Sequence, residues 1–280
     1  MPNKIQLTML SENTASGTGI IGEHGISFLI ETGKHTVLFD TGQGMALAHN
    51  AGQLGIDLSS LNAIVLSHGH YDHVGGLPWA LGQAPQAALH LHPRATEPKY
   101  SASAQDGRAR RISTPFMEEK KFSTPDRRVI TGSDVNEVVP GLWTTGEITR
   151  INDYEDTGGP FFLDSALTEP DPLLDDQSMF INTTEGLVVI FGCAHSGVVN
   201  TLNHIEQWLG KSPPIRLLIG GLHLLTASEH RMQQIISELK KRQPRQMVFC
   251  HCTGAKAIRR LYQEFPAICA DGHAGMKITL

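Results

Sequence analysis

The sequence predicts an α/β protein built as a four-layer αββα sandwich. Short apolar or alternating runs of strand length alternate with amphipathic stretches of helix length along most of the chain. The two halves read alike, each with strands, a histidine-bearing turn and then a helix. A chain of 280 residues is long enough for two sheets to bury one face each, with helices outside.

Residues 4–9 alternate, with Ile5, Leu7 and Met9 on one face. Residues 26–31 and 35–39 are apolar runs joined by Thr32-Gly33-Lys34, a hairpin signal. Residues 45–54 have helical character. Residues 63–66 form a short buried strand that runs straight into Ser67-His68-Gly69-His70. Gly75-Gly76 opens a helix through Leu81, and residues 88–92 read as another strand. From about Pro93 to Gln177 the texture turns to Pro, Asp, Ser and Thr with weak periodicity, and only residues 138–145 read as core. So long a stretch inside a compact fold is expected to be functional. Residues of about 94–176 are therefore predicted as an insertion forming a lid or pocket wall, within a single domain spanning 1–280. Strands then return at 178–182 and 187–191, a helix at Val198–Leu209 and a strand at 215–219. A helix over 228–241 has Ser228 as its cap. A strand at 246–250, a helix at 255–265 and a closing strand at 276–280 complete the pattern.

Composition narrows the function. Lys and Arg total 23 against 28 Asp and Glu, a net charge of −5, which argues against a polyanion such as nucleic acid as partner. No run of about 18 apolar residues appears, so no membrane span is expected. The N-terminus lacks the apolar segment of a signal peptide, and a cytoplasmic protein is expected. The four cysteines fit neither a disulfide framework nor a paired C-x-x-C zinc site. A homo-oligomer is left open.

The sharpest feature is Ser67-His68-Gly69-His70-Tyr71-Asp72-His73-Val74-Gly75-Gly76, where three imidazoles and a carboxylate fall within six residues. At a strand end, alternation points His68 and His70 the same way, and the following turn carries Asp72 and His73 to a second position. Such donors suit Zn²⁺ first, with Fe²⁺ and Mn²⁺ as alternatives.

This pattern resembles the H-x-H-x-D-H signature of the metallo-β-lactamase superfamily, and the likeness continues in order along the chain. Phe39-Asp40-Thr41-Gly42 resembles the first motif, whose aspartate hydrogen-bonds and orients ligands. Gly192-Cys193-Ala194-His195-Ser196-Gly197 and Phe249-Cys250-His251-Cys252-Thr253-Gly254 resemble later motifs, each with a ligand histidine. The resemblance implies the sandwich of the metallo-β-lactamase type and two divalent metal ions. His68, His70 and His195 would hold one, and Asp72, His73 and His251 the other. One motif departs: Ile219-Gly220-Gly221-Leu222-His223 offers no carboxylate where many members carry a bridging aspartate. His223 is the nearest candidate there, to bind metal, contact substrate or pack.

A narrower likeness runs through 146–150, 153–155, 175–177, 192–201, 220–224 and 251–254. Through it the chain resembles 7,8-dihydropterin-6-yl-methyl-4-(β-D-ribofuranosyl)aminobenzene 5′-phosphate synthase-like proteins. The expected function is hydrolysis of an ester, phosphoester or lactone-like bond of a small, anionic molecule by metal-activated water, with Asp72, His223 and Asp40 as catalytic residues. Alternatives are a phosphoribosyl-type transferase and a nonenzymatic small-molecule binding or sensor protein. Arg150 and Tyr71 are expected substrate contacts. The basic residues Arg108, Arg110 and Arg111 read either as a phosphate-attracting rim or as a solvated loop. Glu147, Arg150 and Glu155 read as a brace or a substrate clamp, Asp175 and Asp176 as a strand-entry turn, and Cys193 and Cys252 as small buried residues.

Overall fold

The computed structural model describes residues 4–103 and 105–280; Met1, Pro2, Asn3 and Ala104 lie outside the described residues. The chain groups into two compact units interleaved along the sequence. One runs to Ser133 and takes in Pro160–Asp175 and His273–Leu280. The other joins Asp134–Gly159 to Asp176–Gly272.

The first unit carries a seven-stranded sheet in the order Lys277–Thr279, Gln6–Ser11, Ser27–Glu31, Thr36–Phe39, Ala63–Val65, Ala88–Leu91, Val129–Thr131. Ser27–Glu31 and Thr36–Phe39 pair antiparallel because a tight turn joins them: Thr32 N donates to His35 O at 2.8 Å, and Gly33 takes φ 77° at the turn. Gln6–Ser11 also pairs antiparallel with Ser27–Glu31, across a longer connection. From Thr36–Phe39 onward the pairing is parallel, which needs crossovers. The helices Ala46–Gln53 and Leu77–Gln83 supply two of them. Leu47, Leu77 and Leu81 of these helices pack with Leu38, Ile64 and Leu89 of the sheet into one buried cluster. Parallel strands are buried on both faces, which is why residues 63–66 read as continuous apolar sequence.

The second unit carries a seven-stranded sheet in the order Cys269–Asp271, Met247–Cys250, Ile215–Gly221, Gly186–Phe191, Met179–Thr183, Leu142–Thr144, Asn136–Val139. Its first four strands are parallel, and antiparallel pairs complete it. The helices Val198–Leu209, Glu229–Arg242 and Ala255–Glu264 serve the parallel half, burying Val199, Leu202, Ile235 and Leu261 with sheet residues such as Val189 and Phe191. Ser228 is the expected cap: its hydroxyl accepts from Arg231 N at 3.1 Å. Each unit thus supplies one large sheet with helices of its own, the two halves that the sequence predicts.

The stretch between 94 and 176 holds more structure than its sequence suggests. Residues 138–145 are a hairpin, Asn136–Val139 with Leu142–Thr144, turning at Gly141 with φ 82°. Tyr100–Ala102, Ala109–Arg111 and Phe161–Phe162 form a small sheet of their own. Strands of two to four residues, mostly half-exposed, are too short to show a period, and Cys269–Asp271 is missed for the same reason. Parts of this stretch belong to each unit, with Asp134–Gly159 grouped with the second sheet.

Candidate metal centre

In both sheets the motif residues follow the C-terminal ends of parallel strands, where open α/β sheets place their sites. Asp40 follows Thr36–Phe39 and Ser67 follows Ala63–Val65. His195, His223 and His251 follow Gly186–Phe191, Ile215–Gly221 and Met247–Cys250. Eight non-glycine residues among those described have left-handed backbone, and four stand at these ends: Asp40 (φ 59°), Ala194 (55°), His223 (41°) and His251 (49°). Each such conformation costs roughly 1–3 kcal/mol and persists only where its surroundings enforce it, a common signature of functional turns.

In the first unit, Asp40 organises the cradle. Its Oδ1 accepts from Ser67 N at 2.7 Å, and its Oδ2 accepts from Ser67 Oγ at 2.7 Å and lies 2.7 Å from His73 Nδ1. A carboxylate only accepts, so the proton of His73 sits on Nδ1 and the lone pair on Nε2. The single Ser67 hydroxyl proton goes to Asp40, so Ser67 Oγ, 2.8 Å from His68 Nδ1, accepts from it. His68 therefore has the same tautomer. The His68 ring centroid lies 4.1 Å from that of His73 and 4.4 Å from that of His70. His70 has extended backbone at ψ 144°, and the short helix Tyr71–Val74 begins directly after it, turning Asp72 and His73 away. Asp72 Oδ2 lies 3.0 Å from His24 Nε2.

Gly69, between the first two histidines, has no room for a side chain: a Cβ would run into Ala95 O and stand 3.0 Å from Lys99 Cε. Its N–H donates to Asp175 Oδ2 at 2.8 Å. Asp175 Oδ1 and Asp171 Oδ2 accept from Lys99 Nζ at 2.9 and 2.8 Å, all three side chains being at most 2% exposed. Asp175 is thus a buried anchor of the cradle and not only an entry turn. Burial, and then the Lys99 charge, push the His70 imidazole down to about 3, so it is neutral at pH 7, the form that binds metal. Tyr71 OH accepts from Arg110 Nη2 at 2.9 Å, and the guanidinium carbon lies 5.3 Å from the Tyr71 ring centroid. Arg111 pairs with Glu118, and Arg108 lies 3.5 Å from Asp106. The basic run thus meets partners within its own unit.

In the second unit, His195 Nδ1 lies 2.8 Å from Thr157 O. A carbonyl only accepts, so this ring too is protonated on Nδ1. The His223 ring stacks beside it, with centroids 4.3 Å apart. Gly158, at φ 84°, lies against His223, and a Cβ there would fall inside contact distance of His223 Nδ1. Gly158→Ala is expected to push the His223 ring aside and to lower stability by about 1–3 kcal/mol, the cost of overpacking with backbone strain. A urea titration reads this, and an unchanged midpoint would refute the contact.

Glu155 settles the choice between brace and clamp for its own side chain. Its carboxylate accepts from Val199 N and Asn200 N at 3.0 and 2.9 Å, satisfying the first turn of Val198–Leu209 from a distant loop. Asn152 Nδ2 steadies it at 2.8 Å. Asp176 Oδ2 accepts from Ser196 N at 2.8 Å, and burial pushes its carboxyl up to about 6. Half-buried Arg150 lies 3.5 Å from Ser196 Oγ through Nη2, while Glu147 is exposed. Cys193 and Cys252 are buried as expected, and their sulfurs are 3.2 Å apart. Burial raises the Cys252 thiol, but the bond with Cys193 and the His251 and His223 imidazoles outweigh it and hold it well below the ordinary range.

The donors fit a divalent metal. Three rings carry the proton on Nδ1, which leaves the lone pair on Nε2, and the Nε2 atoms of His68, His70 and His195 are buried. Within the first unit, ligand atoms of His68 and His70, and of His68 and His73, lie within 4.8 Å of each other. Lys99, Asp171, Thr157 and His24 are participants that sequence reasoning missed. A lysine in a stretch such as His92-Pro93-Arg94-Ala95-Thr96-Glu97-Pro98-Lys99 reads as a surface residue, and backbone acceptors leave no trace in a sequence.

No helix among the described residues is long and apolar enough to cross a membrane. Over 98% of its length the chain is 28% identical to the 7,8-dihydropterin-6-methyl-4-(beta-D-ribofuranosyl)-aminobenzene-5'-phosphate synthase of Methanocaldococcus jannaschii, covering 96% of that protein. The solved structure of Tm1679, described as a metal-dependent hydrolase of the beta-lactamase superfamily, is 29% identical. It matches with a TM-score of 0.82 over 98% of both chains. Zn(2+)-bound PqqB from Methylobacterium extorquens, 15% identical, shares the fold at a TM-score of 0.59 over 98% of this chain and 100% of that one. The family model of the metallo-beta-lactamase superfamily matches residues 22–202, and this span, the ordered motifs and the two sheets together place the chain in that superfamily.

Proposed function

We propose that the chain is a metal-dependent hydrolase acting on an ester, phosphoester or lactone-like bond of a small anionic molecule. The observation that carries this is the shared tautomer of His68, His73 and His195, each fixed by a hydrogen bond at Nδ1. That is how metal-binding imidazoles are held. The proposed ligands are His68, His70 and His195 for one divalent ion and Asp72, His73 and His251 for the other, with Zn²⁺ first and Fe²⁺ or Mn²⁺ as alternatives. When bound, such ions lower the pKa of water from about 15.7 to about 7 and polarise a carbonyl or phosphoryl oxygen. Asp40 keeps the His73 proton on Nδ1. In this reading His223, whose ring lies beside that of His195, hands a proton to the leaving oxygen. Tyr71 and Arg150 contact the substrate, and residues of about 94–176 form the wall or lid of its pocket. A cytoplasmic location belongs to the same reading.

A second reading, a phosphoribosyl-type transferase, is favoured by the near full-length likeness to the M. jannaschii synthase. Metal analysis paired with two assays separates the readings. One is a panel of esters, phosphodiesters and lactones; the other offers a phosphoribosyl donor with an aromatic acid. Metal-dependent turnover in the panel supports hydrolysis. Condensation without panel activity supports transfer. Full activity after metal stripping would sink both. Arg150→Ala is expected to raise KM on the active substrate about tenfold or more with metal content unchanged, because the side chain meets substrate and no ligand. Unaltered kinetics would remove Arg150 from the pocket.

A further inference from the structure

We infer that Cys193, Cys252 and His251 form a sulfur-containing metal site, so that the second ion of the proposed pair is bound in part by thiolates. Cys193 Sγ and Cys252 Sγ are 3.2 Å apart, and each lies within 4.8 Å of a ring nitrogen of His251. Around a tetrahedral ion with metal–sulfur bonds near 2.3 Å, two thiolates stand about 3.8 Å apart. The thiols need only a small shift to reach that spacing.

The sheet is shaped to let these sulfurs meet. Cys193 follows the strand Gly186–Phe191, and Cys252 lies in the turn after Met247–Cys250. Those strands are not neighbours, for Ile215–Gly221 runs between them. The intervening strand ends in Gly220-Gly221. A Cβ on Gly221 would stand 2.6 Å from Cys252 Sγ and 2.6 Å from Gly192 O, so any side chain there would close the space the thiols share. At this strand end the chain offers no carboxylate, and the two thiols lie directly over it. Two sulfurs and an imidazole make a soft donor set, suited to Zn²⁺ over harder ions. On binding, each thiol gives its proton to solvent and its sulfur lone pair to the metal.

This inference rests on the proposed function for the presence of metal, but not for its chemistry. Apo-protein reduced with a phosphine is titrated with Co²⁺ and its absorption recorded. The expected result is an intense near-ultraviolet sulfur-to-cobalt charge-transfer band. It weakens in Cys193→Ser and in Cys252→Ser and vanishes in the double variant, while weaker visible bands from nitrogen and oxygen ligation persist. Visible bands without the charge-transfer band in the wild type would overturn the thiolate site and leave the metal reading intact. Failure to bind cobalt at all would overturn both. X-ray absorption of the zinc-loaded wild type tests the same ligation without any variant, sulfur scattering at about 2.3 Å being expected and nitrogen or oxygen scattering alone being fatal.

Discussion

His70→Ala is expected to lose bound metal and activity together, by well over the ~100-fold that removing only an outer partner of a ligand costs. His70 lies beside His68 with ring centroids 4.4 Å apart, on a segment fixed from both sides. The Gly69 amide before it is held by Asp175, and the Tyr71 amide after it donates to Ile112 O at 2.7 Å. Its neutral state is enforced by burial and by Lys99. The substitution therefore removes a preorganised donor that water in a loosened pocket does not replace. The ring also packs against Phe161, with centroids 5.2 Å apart, so a modest loss of stability accompanies the loss of metal. Metal per chain by mass spectrometry and turnover on the active substrate are the two readouts. A variant that keeps both would show that His70 is no ligand.

The legible part of this centre is what lies contiguous in the chain or at the end of an apolar strand. His68, His70, Asp72 and His73 are visible because one strand and one short helix turn place them all. Asp40, His195 and His251 are visible because each follows a buried run that marks a strand end. The Asp40 carboxylate touches both Ser67 and His73, as an orienting group would. The illegible part depends on pairings distant in sequence. Lys99 meets carboxylates 72 and 76 positions away, and Cys193 meets Cys252 at a separation of 59. No local period encodes such contacts. Glu155 is a similar case: an acidic residue in an irregular loop reads equally as clamp or brace until the helix start at Val198 is set beside it. The short strands between 94 and 176 fail for a different reason, since their stability comes from pairing and not from a buried face of their own.

Lys99→Met is expected to destabilise the apo-protein by about 3–5 kcal/mol, the range for breaking a buried ion pair from one side. The lysine side chain is 1% exposed, and its ammonium is the shared partner of Asp171 and Asp175. Burial alone would drive its proton off, but the two carboxylates outweigh burial and hold its pKa above the ordinary value. Methionine fills similar volume and leaves two carboxylates in a dry site with no cation between them. Asp171 retains the Leu173 amide at 2.8 Å and Asp175 the Gly69 amide at 2.8 Å, so neither can turn away without giving up another bond. Because Asp175 holds the residue between His68 and His70, the damage reaches the cradle, and metal affinity falls along with stability. Adding Asp175→Asn removes one stranded charge while leaving an oxygen able to accept from Gly69. The double variant is therefore expected to be more stable than Lys99→Met alone, with a coupling of roughly 0.5–3 kcal/mol, the range found for contacting pairs. Urea titrations of the wild type, both single variants and the double variant measure the cycle. Strict additivity would mean that Lys99 and Asp175 do not share the interaction, and a Lys99→Met midpoint equal to that of the wild type would mean that the ammonium contributes nothing to the fold.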